Sequence, residues 1–236
     1  VSNADGTAAG ATSDWQQGYG FQFWMSRHGY RGDGAFGQFC VVLPEHEMVI
    51  VTTACTPDMQ ALLDAMWTCL LPGIDAAAGP GAETAQDKLG ARLAGLALAP
   101  CPAGQGARAA ANWAGGTFPV SAGTGAFRAR ALTAVEVTPD PGGWRVRLRE
   151  DANQLEFPAG AGTWTASEPA DRLGEAVPVA ASAGWLDSDT WRAEVIFLET
   201  PHRIDITGSL RAGTAAAAWR QPPLGGDRIQ DLHGPA

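Results

Sequence analysis

From Trp113 to Trp219 the chain alternates. Phe127-Arg128-Ala129-Arg130-Ala131-Leu132, Trp144-Arg145-Val146-Arg147-Leu148-Arg149 and Arg203-Ile204-Asp205-Ile206-Thr207 change character at every second residue. A period of two does not fit a helix, whose faces repeat every 3.6 residues; it puts one set of side chains on each face of a strand. Pro141-Gly142-Gly143, Pro158-Ala159-Gly160, Asp187-Ser188-Asp189 and Thr200-Pro201 cut the pattern into short runs. The spacing predicts seven to nine strands in an antiparallel meander. Closing that meander into a small lipocalin-like barrel, or a strongly curved sandwich, would remove its exposed edges.

Residues 1–73 follow a different rule. Gly20-Phe21-Gln22-Phe23-Trp24 is aromatic-rich, while Phe39-Cys40-Val41-Val42-Leu43 and Met48-Val49-Ile50-Val51 are continuous apolar runs. Such runs predict strands buried on both faces. Between them, Leu43-Pro44-Glu45-His46-Glu47 reads as the turn of an antiparallel hairpin, because proline fixes φ and has no N–H for a ladder. A helix should follow, with Thr56 as N-cap and Pro57 at its first position. Met59, Leu62, Leu63, Met66, Trp67, Leu70 and Leu71 give it one apolar stripe, and Pro72-Gly73 should stop it. Residues 74–112 have linker composition, interrupted by a short amphipathic helix within 83–98 that carries Leu89, Leu93 and Leu96. The expected class is α+β: antiparallel strands plus a closing helix in 1–73, a linker in 74–112, an all-β unit in 113–220 and a tail in 221–236.

Gly32, Gly34 and Gly37 crowd the start of the middle strand, where glycine marks either a bulge or the close approach of another group. Residues 14–73 resemble the last strands and C-terminal helix of the serine beta-lactamase, penicillin-binding protein and esterase superfamily. Gly32-Asp33-Gly34-Ala35-Phe36-Gly37-Gln38 is similar to the esterase-type third motif, Gly-His-Gly-Gly-Phe-Gly-Gln, on an inner strand that lines the active site. The resemblance implies that Asp33, Gly34, Ala35 and Phe36 flank a small acyl substrate, with the main-chain N–H of Phe36 on the oxyanion. Asp33 stands where the family has a cation or imidazole and would repel a substrate carboxylate. Arg31, a candidate anion-binding residue, or Arg27 could supply the missing charge.

The nucleophile motif of that family, Ser-x-x-Lys, does not occur: Ala85 lies three residues before Lys88, the one lysine. Tyr19 and Tyr30 are followed two positions on by Phe21 and Gly32, so the Tyr-x-Asn motif is missing as well. The resemblance therefore implies the C-terminal portion of a larger hydrolase acting on an amide, ester or lactam through an acyl-enzyme, and inactive alone. Apolar surface from Phe21, Phe23, Trp24, Val41 and Ile50 should then lie open. That surface should bind the N-terminal part of the same domain, pair with a second copy, or pack on the barrel. The alternative is a noncatalytic module whose barrel carries a ligand or partner.

The balance of 16 basic and 25 acidic residues, net −9, argues against a nucleic-acid surface. No targeting or membrane-spanning segment is visible, which favours the cytoplasm and no membrane partner. Cys40, Cys55, Cys69 and Cys101 lack C-x-x-C spacing and read as buried free thiols. His28, His46, His202 and His233 lack ligand spacing, so neither a metal nor a cofactor is expected. Trp113, Trp144, Trp164, Trp185, Trp191 and Trp219 read as core of the β unit. Arg128, Arg130, Arg145, Arg147 and Arg149, with Glu136, Glu150 and Asp151 nearby, read as a solvated outer face.

Overall fold

The computed structural model describes residues 12–75, 81–104, 113–121, 127–226 and 228–232. The chain forms two units, residues 1–97 and 98–236. It is mostly β, with an antiparallel sheet in the first unit and a nearly closed, barrel-like sheet in the second.

The first sheet runs in chain order through β1 (Tyr19–Gly20), β2 (Phe23–Met25), β3 (Tyr30–Gly34), β4 (Gln38–Leu43) and β5 (Met48–Thr52). Every pairing is antiparallel. The β4–β5 turn is a short 3-10 segment, Pro44–His46, closed by Glu47 at φ 49°. The helical segment comprises α1 (Met59–Ala65), a π-turn (Met66–Leu70) and α2 (Leu71–Asp75). Its start differs from the expected one. Asp58, not Thr56, is the N-cap and accepts from the N–H of Ala61, while Thr56 Oγ1 accepts from the N–H of Asp58. Its end differs too, since the helix passes through Pro72 and Gly73 to Asp75. A proline clashes with the carbonyl four residues back. Here that carbonyl belongs to Thr68, inside the π-turn, where wider winding already removes the ordinary i→i+4 contact.

Register decides which side of this sheet is covered. Trp24 pairs with Arg31, Arg31 with Val41 and Val41 with Ile50, so these four share one face. Phe39, Val41 and Leu43 on that face pack with Leu63, Met66, Trp67 and Leu71 of the helix. The opposite face carries Phe23, Met25, Cys40, Val49 and Val51, all exposed, Val51 at 68 %. The continuous apolar runs are thus covered on one face only. Of the residues expected to lie open, Phe21 and Phe23 do, whereas Val41 is fully buried and Trp24 and Ile50 are half-buried. Val49 and Val51 hold the open positions instead, because a side-chain period of two turns neighbours to opposite faces.

Residues 82–94 form the helix α3 (Ala82–Ala94) within the expected linker. Leu89 and Leu93 are both more than half exposed, so its apolar stripe is not buried. Residues 98–104 do not behave as linker. Cys101 is buried, its N–H donates to Ser182 Oγ at 3.0 Å, and the carbonyl of Leu98 accepts from the Trp164 indole. These contacts tie the segment to the second unit.

That unit contains β6 (Gly116–Pro119), β7 (Ala134–Asp140), β8 (Gly143–Arg149), β9 (Gln154–Ala161), β10 (Thr165–Ser167), β11 (Val179–Trp185), β12 (Thr190–Phe197), β13 (Arg203–Ser209) and β14 (Thr214–Trp219). The order is β6-β7-β8-β9-β11-β12-β13-β14, with β10 paired to one half of β11. The meander is broken once: β9 and β11 pair in parallel through Ser182↔Gly160 and Ala183↔Ala161. β10 and the connection after it bring the chain back before it re-enters the sheet. Closure comes from the first and last strands. Val120 bridges Ala215, and the N–H of Ser121 donates to the Ala215 carbonyl at 2.7 Å. The run 127–132, expected as a strand, contributes one bridge, Arg128↔Ala218, that covers the other half of β14.

Alternation sets the barrel interior. Val135 and Val137, Val146 and Leu148, Leu155 and Phe157, and Ile204 and Ile206 are inward pairs on their strands, all fully buried. Trp185, Trp191 and Trp219 lie in this core, and Trp113 and Trp144 pack against it from partly buried positions. Trp164 is the exception. It stands half-exposed outside the core with the Arg203 guanidinium 5.6 Å from its ring centroid. The arginine face of β8 is as expected: Arg147 pairs with Glu136 and Glu156, Arg149 with Glu136, and Arg145 with Asp140 at 2.9 Å. Of the four cysteines only Cys101 is buried; Cys40 lies on the open face of β4, and Cys55 and Cys69 are exposed.

Candidate functional site

The glycine-rich run lies where β3 ends and β4 begins. Gly34 closes β3, Ala35–Gly37 forms a 3-10 turn, and Gln38 opens β4. Inside the turn Phe36 is left-handed, with φ 64° and ψ 18°, and Gly37 follows at φ 90°. A bulky residue at positive φ is strained and persists only where its surroundings over-determine it. Here they do. Phe36 is buried, its carbonyl accepts from the N–H of Thr56 at 3.0 Å, Thr52 Oγ1 donates to the Gly37 carbonyl at 2.8 Å, and Gln38 Nε2 donates to the Ala54 carbonyl. The φ of 90° at Gly37 strains any other residue, and a Cβ there would also press on Leu62 at 3.0 Å and Thr56 at 3.2 Å. Ala35 points outward and is exposed. Gly34 has less room: an added Cβ would lie 3.0 Å from the Gln38 Cβ.

Asp33 and Arg31 stand two apart on β3 and therefore on one face. Arg31 is fully buried. Its Nε and Nη2 lie 3.0 and 2.9 Å from Asp33 Oδ2. Its Nη1 donates to Ser26 Oγ and to the carbonyls of Asp14 and Met25, and the Trp15 ring stacks 4.6 Å from the guanidinium carbon. So placed, Arg31 cannot meet an anion in solvent. It neutralises Asp33 instead, and the repulsion expected of that carboxylate is cancelled within the strand. Arg27 is likewise engaged, donating to Asp14 and Asp64.

The residue that sequence reasoning missed is Asp14, 0 % exposed beneath the inner face of the sheet. Its carboxylate accepts from Gln60 Nε2 at 2.7 Å, the N–H of Arg27 at 2.8 Å, Arg27 Nη2 at 2.9 Å and Trp67 Nε1 at 3.1 Å. Burial opposes its ionisation, but these donors outweigh burial and hold the carboxyl below its ordinary value. The available signal was Arg31-x-Asp33, a charged pair on one strand face next to aromatic residues, which marks an interior ion network.

A cleft of about 330 Å³ opens at the other end of β3, between the 26–29 and 44–46 turns, lined by Arg27, His28, Tyr30, Leu43 and His46. It is remote from the glycine run along the strand. Among the described residues no three His, Cys, Asp or Glu side chains converge to hold a metal, and no helix is long and apolar enough to cross a membrane. What the glycine run presents is a fixed main-chain edge and an outward methyl group at Ala35. No protein-family model, curated protein or solved structure matches this chain.

Proposed function

We propose that this chain is the C-terminal portion of a serine hydrolase of the beta-lactamase and penicillin-binding-protein type, nearest the esterase branch, followed by an accessory β unit. One observation carries the reading: the run Gly32-Asp33-Gly34-Ala35-Phe36-Gly37-Gln38 lies at a sheet end where a left-handed turn, tied by hydrogen bonds, fixes the backbone, and Gly34 and the exposed Ala35 add little side chain there. Fixed main-chain donors are what stabilise an oxyanion, since they need no reorganisation as charge develops. In this reading Asp33, Gly34, Ala35 and Phe36 form the substrate side of the cleft, and Arg31 is a structural partner of Asp33. The open apolar face of β2, β4 and β5 supports the same reading, because the preceding part of such a domain would cover it. Of the alternative, a noncatalytic module whose barrel carries a ligand or partner, the packed barrel interior weighs against a ligand held inside, since tryptophans, phenylalanines and branched side chains occupy the centre among the described residues.

The purified 236-residue chain should therefore turn over neither nitrocefin nor a p-nitrophenyl ester, because it lacks a Ser-x-x-Lys pair to form an acyl-enzyme. Turnover that copurifies with the chain and survives a mock-purification control overturns the proposal. In a longer protein that supplies the pair, Ala35→Val should lower kcat by about tenfold or more while leaving the melting temperature within a degree or two. Ala35 is the better probe than Gly34, whose replacement strains the fold at Gln38. Equal loss of activity and stability at Ala35 would make the glycine run a structural bulge.

A further inference from the structure

Two clefts on the barrel unit share a wall at residues 150–153, the β8–β9 turn. One, about 240 Å³, is lined by Arg149, Asp151, Asn153 and Arg172. The other, about 230 Å³, lies across the same turn and is lined by Arg130, Thr133, Asp151 and Arg228. Beneath them is a buried polar frame. Asn153 Oδ1 accepts from the N–H groups of Gln154 and Arg172 at 2.8 and 2.9 Å, and Asn153 Nδ2 donates to Asp171 Oδ2 at 3.3 Å. Asp171 Oδ1 in turn accepts from the N–H groups of Leu173 and Glu175. This frame pins the backbone of Arg172 beside the turn, and Arg172 Nη1 donates to the Ala152 carbonyl at 3.0 Å.

Arg149 is neutralised by Glu136 at 2.8 Å, and Glu150 accepts from the N–H of Ile229 at 2.8 Å. Arg172 and Arg228 differ. Neither has a carboxylate within ion-pair distance among the described residues, although the chain holds 25 acidic residues against 16 basic ones. Two unpaired guanidiniums from separate segments flank one turn. A guanidinium presents a planar fork of donors matched to phosphoryl oxygens, stronger than a neutral donor and retained at every physiological pH.

We propose that this double cleft binds a small phosphorylated molecule, with phosphoryl groups held by Arg172 and Arg228 on either side of the 150–153 turn. The site is independent of the hydrolase reading. Inorganic pyrophosphate is the probe, titrated into the full 236-residue chain at low ionic strength by calorimetry and followed by phosphorus NMR. Saturable binding is expected. Arg172→Gln and Arg228→Gln should each weaken it about tenfold, the loss of one charge-assisted hydrogen-bonding group. Asp151→Asn should tighten it several-fold by removing a like charge from the shared wall. Thermal melts accompany each variant; both arginines are exposed, but Arg172 also holds the turn through the Ala152 carbonyl, so the Arg228 variant decides the matter if Arg172→Gln unfolds. Absence of saturable binding, or affinity unchanged in folded Arg228→Gln and Asp151→Asn, overturns the proposal.

Discussion

Asp14→Ala is expected to destabilise the first unit by about 3–5 kcal/mol, the loss seen when one member of a buried ionic network is removed. The carboxylate has no solvent exposure, and its removal strands donors from Gln60, Arg27 and Trp67 that lie between the sheet and α1. Asp14→Asn keeps the volume but sets an amide donor against those donors, so it should lose much of the same stability. Urea melts of the two variants check this; a loss under about 1 kcal/mol for both would mean that apolar packing alone holds the helix to the sheet. The same group sets a pH dependence. Its carboxyl ionises more readily folded than unfolded, so its contribution is complete above the ordinary value of 3.8 and disappears as pH falls through the depressed folded value. In the barrel unit, burial lowers the His202 pKa from its ordinary 6.5. Its contribution is likewise complete above that value and is lost on acidification. On these two groups alone, the barrel begins to weaken at higher pH than the first unit.

Trp191→Ala should destabilise the barrel unit by about 3–5 kcal/mol. Trp191 is fully buried, faces Trp185 across β11 and β12, and meets Trp144 edge-on with ring centroids 6.4 Å apart. Its loss leaves a cavity that surrounding strands cannot fill, because each is held in register by its neighbours on both sides. The indole N–H of Trp191 has no hydrogen-bond partner among the described residues. Trp191→Phe therefore removes volume without breaking a bond, and it should cost less than half as much as the alanine variant. Denaturant midpoints followed by the fluorescence of the remaining tryptophans separate the two. If the phenylalanine variant loses as much as alanine, the indole N–H is bonded in solution, to a buried water or a ligand.

Residues carrying the alternation could be read from the chain because a strand leaves no choice of face: Val146 and Leu148 go in, Arg145, Arg147 and Arg149 go out, and their acids lie on the neighbouring strands. The hairpin at Pro44 and the existence of the helix after Pro57 were legible for the same local reasons, proline geometry and a stripe of period 3.6. Less legible were features that depend on distant partners. Thr56 and Asp58 both suit an N-cap, and the choice fell to the residue whose oxygen reaches the Ala61 N–H. Trp164 has the character of a core residue, yet it stands just before the short strand β10 and its indole goes to the Leu98 carbonyl.

By itself the sequence determined the period of each segment, hence a short antiparallel sheet with a helix followed by a many-stranded β unit, and it placed small residues at the end of β3. Tertiary structure decided the rest. Only register could assign Val41 to the covered face and Val49 to the open one, because an apolar run reads alike on both faces. Only the return of the chain after β10 could make β9 and β11 parallel. And only packing could turn Arg31 from a free cation into the buried counter-charge of Asp33, since the desolvation of a guanidinium is tolerable where a carboxylate, carbonyls and aromatic faces replace its water.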